Sequence, residues 1–213
     1  MKAIVIGSGR MAKGIVGVLA KAYPFEIGLF SRDIEKAKLT IEHLQVEAIA
    51  IPDEDKFSAE IIIHTLWYDD ILKFALTNIE PLKGKILVDI TNPFNENFTG
   101  FVTDYNTSAA ENIQRLIPET KVVGAFKNTY WVVFDNPVFG GIKSDIYVTS
   151  DDDISRLRVI DLLKPIPFRI FDAGRLINNR TIERMTLLEK ELATKAGNHP
   201  RVSFHLWGVA NYE

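Results

Sequence analysis

The chain has 213 residues, no cysteine, 46% apolar and 25% charged residues, and a net charge of −3. That balance belongs to an ordinary globular protein, and the missing thiols exclude disulfides, thiolate nucleophiles and Cys-ligated zinc or iron–sulfur sites. The mild negative charge gives no reason to expect nucleic acid or an anionic membrane as partner, and no apolar run reaches the roughly 18–20 residues of a membrane span. The sequence opens on a strand pattern without signal-peptide architecture, so a cytoplasmic location is expected. His43, His64, His199 and His205 are scattered without metal-ligand spacing, and no metal is expected.

Residues 3–6 form a short apolar run that reads as a strand. It leads directly into Gly7-Ser8-Gly9-Arg10-Met11-Ala12, after which Ala12, Ile15, Val16, Leu19 and Ala20 fall on one helical face. Strand, Gly-x-Gly-x-x-Ala turn and helix together read as a dinucleotide-binding unit, the bland alternative being an ordinary tight βα turn. The first glycine allows the tight turn, the second lets the backbone approach a pyrophosphate, and the small Ala12 lets the helix pack on the strand. The pyrophosphate would rest on the unpaired N–H groups of the helix N-terminus, beside Gly7, Ser8, Gly9, Arg10 and Met11. Gly14 and Gly17 weaken the helix and predict a close helix–sheet contact.

Strands are then predicted over 26–30, 46–50, 59–64, 85–90 and 121–126, and helices over 34–43, 68–78 and 107–116. The later pattern is less regular: strands over 144–149 and 167–171, and helices over 151–163 and 181–195 with Gly197 as terminator. Strands alternating with helices predict a Rossmann-like, doubly wound α/β fold with a mostly parallel sheet. No linker divides the chain. The expectation is one domain over 1–213, with a core at 1–126 and a C-terminal αβ extension at 127–213.

Ligands of such sheets bind outside the carboxyl ends of the strands. Counting about 20 residues from Gly7 picks Glu26 as ribose ligand, but Glu26 starts its strand and points away from that edge. Ser31-Arg32-Asp33 lies at the correct end. Arg32 supplies a fixed charge for a 2′-phosphate and Ser31 a hydroxyl, which favours NADP(H) over NAD. The bland alternative makes Ser31 or Asp33 a helix cap and Arg32 a solvated side chain.

At the other strand ends, Thr65, Leu66 and Trp67 could flank the adenine or the nicotinamide ribose, with Trp67 equally readable as packing. His64 reads as a structural histidine. Asn92, at the turn fixed by Pro93, can offer an amide to the nicotinamide or simply close an Asx turn. Ala125, Phe126 and Lys127 leave the next strand, where Ala125 and Phe126 could shape the nicotinamide pocket and Lys127 could equally be a surface charge. Asp69-Asp70 and Asp151-Asp152-Asp153 read as helix-start acids, and Arg180 and Glu183 as a local pair. No Ser–His–Asp or Tyr-x-x-x-Lys set is present, and no side chain is assigned as catalytic.

The stretches Ile4-Val-Ile-Gly-Ser-Gly-Arg-Met-Ala12, Phe30-Ser-Arg-Asp33, Ile86-Leu-Val-Asp-Ile-Thr-Asn92, Lys121-Val-Val-Gly-Ala-Phe126 and Asp172-Ala-Gly-Arg-Leu176 resemble the F420-dependent NADP oxidoreductases and the NADPH-binding domain of the STEAP-type metalloreductases. The resemblance implies hydride transfer between NADP(H) and F420 or a flavin-type acceptor, with the two rings face to face and the protein supplying orientation. It departs from the family after residue 126, where Lys127 precedes Asn128, and again in the tail. A homodimer is suggested by the resemblance and by Phe204, Leu206 and Trp207, which could also pack within the chain. Alternatives are a β-hydroxyacid-dehydrogenase-like reductase, which would bring a long all-helical domain, and an NADPH-sensing module without turnover.

Overall fold

The computed structural model describes residues 1–209. The first half alternates strand and helix: β1 (Ala3–Ile6), α1 (Arg10–Ala22), β2 (Ile27–Phe30), α2 (Ile34–Leu44), β3 (Ile49–Ile51), β4 (Ile61–His64), α3 (Tyr68–Thr77), α4 (Ile79–Leu82), β5 (Ile86–Asp89), α5 (Ala109–Leu116) and β6 (Lys121–Gly124). The second half adds a small hairpin, β7 (Val138–Phe139) and β8 (Ile142–Lys143), then β9 (Asp145–Ser150), α6 (Asp153–Leu163), β10 (Arg169–Asp172) and α7 (Asn179–Lys195).

Eight strands form one sheet in the order β10-β9-β6-β5-β4-β1-β2-β3. The six strands from β3 to β6 are parallel, as buried β-α-β crossovers require, whereas β9 runs antiparallel to β6 and β10 parallel to β9. The fold is therefore the doubly wound α/β arrangement expected from the alternation. One apolar layer draws on Ala3, Val5 and Leu19 as well as Ile146, Leu163 and Ile170, so both halves of the chain contribute to it. Among the described residues beyond 126 the chain carries four strands and two long helices, not an all-helical domain.

Several boundaries differ from the sequence reading for local reasons. The third strand lies at 49–51, not 46–50, because Gln45 takes a left-handed turn after α2 and Glu47 is tied through its carbonyl to the Phe25 N–H. Ser108 and Asp152 stand outside their helices as N-caps, accepting from the N–H groups of Glu111 and Ser155. Gly197 has φ +72° just beyond α7, a conformation suited to glycine, and its N–H donates to the Thr194 carbonyl.

Gly14 is needed for a different contact than expected. A Cβ there would lie 2.5 Å from the Phe134 ring, in the segment after β6, while Gly17 has only an ordinary neighbour at 3.8 Å. The tail at 204–207 folds back on its own chain: Phe204 accepts from the Asp145 N–H, and the Leu206 N–H donates to the Asp145 carboxylate at 2.6 Å. Among the described residues no helix is long and apolar enough to cross a membrane, and no group of three or more His, Cys, Asp or Glu could hold a metal.

Candidate functional site

The sheet register brings the strand exits level with one another. Ile6 stands opposite both Phe30 and His64, His64 opposite Asp89, and Asp89 opposite Gly124. The turns at these exits are stitched together: the Gly7 N–H donates to the Phe30 carbonyl at 2.9 Å, and the Thr65 N–H and hydroxyl donate to the Ile6 carbonyl at 2.9 and 3.0 Å. Gly7 has φ +123°, and a Cβ there would collide with the Thr65 hydroxyl, so this position tolerates no side chain. Gly9 is glycine for another reason. A Cβ on it would meet nothing within 4 Å, so the room above it is left open by the protein.

Gly9 is also the N-cap of α1, and it offers no side chain to the first-turn N–H groups, among which no acidic residue lies. At α2, by contrast, the Asp33 carboxylate accepts from the Glu35 and Lys36 N–H groups. An uncapped N-terminus with open space before it is a ready anion site. The residues present thus fit a dinucleotide pyrophosphate. One strand away, Asp33 is committed to its helix and does not compete for a ligand, Ser31 is buried, and Arg32 is exposed at the edge where a 2′-phosphate would lie.

Arg10 and Met11 open α1. The Arg10 guanidinium lies over the Trp131 ring, 3.8 Å from its centroid, and couples the start of α1 to the segment after β6. Trp131 carries no motif and is not recognisable from the sequence. Trp67 is not a core residue: it is 64% exposed, with the Phe98 ring set edge-on to it, 6.2 Å between ring centroids. Thr65 and Leu66 are half-buried beside it. Beyond Trp67 opens a polar cavity of about 560 Å³, lined among others by Tyr68, Thr103, Asn112, Arg115 and Arg180.

Asn92 and Pro93 follow β5 at the same edge. The Asn92 amide donates to the Lys127 carbonyl at 2.7 Å, which leaves its own buried carbonyl oxygen without a partner among the described residues. Ala125 and Phe126 follow β6, but both side chains are buried in the apolar layer, Phe126 against Phe134. With their side chains buried, what these two residues can offer a ligand is backbone. Phe126 has φ +57°, a costly conformation for a bulky residue.

The largest departure from the sequence reading lies directly behind these turns. Lys127 is not a surface charge; it is 1% exposed and its ammonium donates to Asp89 at 2.6 Å, to the Thr91 carbonyl at 2.5 Å and to Glu183 at 3.0 Å. Nor do Arg180 and Glu183 pair: Arg180 binds Glu111, while Glu183 reaches inward and accepts from the Ala109 N–H as well. His64 stands beside the group, its Nε2 2.9 Å from an Asp89 carboxylate oxygen, with neither ring nitrogen in a hydrogen bond of regular geometry among the described residues. Burial alone would raise the Asp89 carboxyl, but the Lys127 charge and the adjacent imidazole hold it well below the usual carboxylate range. Burial likewise opposes the Lys127 charge, and the two carboxylates overcome it. Glu183 is pushed up by burial, which Lys127 offsets only in part. Breaking such a buried pair by removing one partner typically costs about 3–5 kcal/mol. The signal in the sequence was a charge at the end of each central strand run, IIIH and ILVD, where a buried ionisable group requires a partner.

Comparison with known proteins agrees with this geometry. Residues 2–93 match the family model described as NADP oxidoreductase, coenzyme F420-dependent. The chain is 33% identical to an F420-dependent NADP reductase of Methanocaldococcus jannaschii over 202 residues, covering 87% of this chain and 89% of that protein. Human metalloreductase STEAP2 is 27% identical over 185 residues, 86% of this chain but 35% of that protein. A solved candidate F420-dependent NADP reductase from Arthrobacter sp. FB24 shares the fold with a TM-score of 0.79 at 24% identity, covering 92% of this chain and 95% of that one. With its glycine turn, strand order and nearly full-length relative in place, the chain belongs to the coenzyme F420-dependent NADP oxidoreductases, a family of enzymes.

Proposed function

We propose that the protein transfers a hydride between NADP(H) and coenzyme F420. The observation that carries this reading is the uncapped N-terminus of α1 behind the open space at Gly9, with exposed Arg32 one strand away. In this reading Gly7, Ser8, Gly9, Arg10 and Met11 hold the pyrophosphate, and Ser31 and Arg32 hold the phosphorylated ribose. Thr65, Leu66, Trp67, Asn92 and Pro93 border the nicotinamide half, with the backbone of Ala125 and Phe126 closing its far side. NADPH supplies the hydride from its nicotinamide ring, and the protein holds the two rings in register and keeps water out; effective molarities of about 10⁵–10⁸ M show how much orientation alone can contribute.

The acceptor enters from the side of exposed Trp67 and the polar cavity beyond it. F420 is proposed over a flavin because the Methanocaldococcus jannaschii relative carries F420 in its name. A single functional domain is proposed for the whole chain, since one apolar layer takes residues from both halves. A cytoplasmic setting is proposed with it. NADPH oxidation measured with F420, FMN and FAD in parallel tests the reading. Turnover with F420 and little with the flavins is expected. Turnover with flavins alone would replace the acceptor, and none with any carrier would leave a binding module.

A further inference from the structure

We infer that Lys127 is a positioning residue for the nicotinamide ring, acting through the two strand-exit turns that its buried ammonium ties together. The inference rests on the NADP(H) reading of the site.

Three observations converge on it. The first is connectivity. The ammonium donates to Asp89 at the end of β5, to the carbonyl of Thr91 in the turn after β5, and to Glu183 on α7. The Lys127 carbonyl in turn accepts from Asn92, in the turn after β5, and from the Thr186 hydroxyl on α7 at 2.8 Å. One residue therefore fastens the exit of β5 to the exit of β6 and both to α7. Glu183 extends the fastening to the start of α5 through the Ala109 N–H.

The second is saturation. All three ammonium protons have acceptors within 3.0 Å, inside a pocket where Lys127, Asp89, Glu183 and His64 are each at most 1% exposed. Lys127 cannot itself reach a ligand. Its effect must pass through the turns it holds.

The third is strain. Phe126, the residue before Lys127, keeps φ +57° although it is a large aromatic. Such a conformation persists only where the surroundings over-determine it. The ammonium on one side and the Phe126–Phe134 packing on the other supply that restraint. The result is a chain that turns sharply at the end of β6 and presents backbone, not side chain, to the strand edge. In a hydride transfer that depends on ring-to-ring distance, a displacement of about 1 Å can cost about 100-fold in rate. The turns at 91–93 and 126–128 border the half of the nucleotide that carries the reacting carbon, whereas the adenosine half is held on β1 and β2, away from Lys127.

The test separates the two halves of the nucleotide. Lys127→Met is compared with the wild-type enzyme in three measurements: affinity for adenosine 2′,5′-bisphosphate, the fluorescence gain of the NADPH nicotinamide on binding, and the single-turnover rate of F420 reduction. The expected result is an unchanged bisphosphate affinity, within about 2-fold, a largely lost nicotinamide signal, and hydride transfer slowed on the order of 10–100-fold. Because a lone carboxylate pair can prevent folding, K127M/E183Q is made alongside. It removes the surplus charge but does not restore the tether, so it is expected to fold and to keep the nicotinamide defect. Retention of both the nicotinamide signal and the transfer rate in either folded variant overturns the inference, as does an equal loss of bisphosphate and nicotinamide binding. If the wild-type protein binds NADPH but reduces no acceptor, the proposed acceptor falls while the binding measurements still decide the role of Lys127. If it binds no NADPH, both fall.

Discussion

At the scale of single residues, the glycine turn after β1 was readable because its glycines answer steric demands that sequence motifs encode. Gly7 needs φ +123° beside the Thr65 hydroxyl, and Gly9 leaves open space at an uncapped helix end. Arg32 was readable for the same kind of reason, since the end of β2 is fixed by the strand pattern. Its carboxylate neighbour Asp33 is occupied by the N-terminus of α2 and does not compete for the 2′-phosphate that the proposed function assigns to the guanidinium. Hydrogen bonds to charged groups contribute about 1.5–3 kcal/mol. Arg32→Ala is therefore expected to weaken NADPH binding on the order of 10–100-fold while changing NADH binding by less than about 3-fold. Parallel fluorescence titrations check this, and equal losses for the two coenzymes would remove Arg32 from the 2′-phosphate site. The cluster of Lys127, Asp89 and Glu183 was not readable: the charge ending ILVD asks for a partner, but the three residues lie far apart in sequence and meet only through the fold.

At the scale of elements, periodicity located the helices and strands of the Rossmann half, apart from β3 and the short α4, to within about two residues, because apolar spacing and side-chain caps are local properties. It failed where tertiary contacts choose the boundary, as at β3 and in the hairpin β7–β8. Helix α7 shows the limit most clearly. Its buried face carries Asn179, Glu183, Thr186 and Glu189 among its apolar residues, a pattern that reads as solvent-facing. Glu189 has no hydrogen-bond partner for either carboxylate oxygen among the described residues, and burial pushes its carboxyl up from 4.5 to about 8. The proton is therefore held in the folded state and released in the unfolded chain between those values. The favourable contribution is complete below about pH 4.5 and lost as pH rises through about 8. Glu189→Gln is expected to flatten the decline in thermal stability across that window and to stabilise the protein at its upper end. Melting temperatures measured from about pH 5 to about pH 9 check the sign; an unaltered slope would show that Glu189 ionises freely in the folded protein.

At the scale of the whole molecule, the sheet explains why one edge collects the candidate site. Parallel strands β1, β2, β4, β5 and β6 all deliver their exits to the same side, and the chain reverses direction of travel across the sheet between β3 and β4. The antiparallel β9 then brings α7 behind the β5 and β6 exits, where Glu183 meets Lys127. The resemblance visible in scattered motifs extends over nearly the full chain, as the Methanocaldococcus jannaschii reductase shows. What the motifs could not convey is that the second half does more than complete the sheet: through Glu183 it carries part of the scaffold under the exits of β5 and β6. On this account the first turn and Arg32 together select a phosphorylated dinucleotide. A calorimetric titration of the purified protein with NADPH and, separately, NADH tests that selection most directly. Saturable binding of NADPH with one site per chain, at least about 10-fold tighter than NADH, is expected; no saturable heat, or equal affinity for the two, would contradict it.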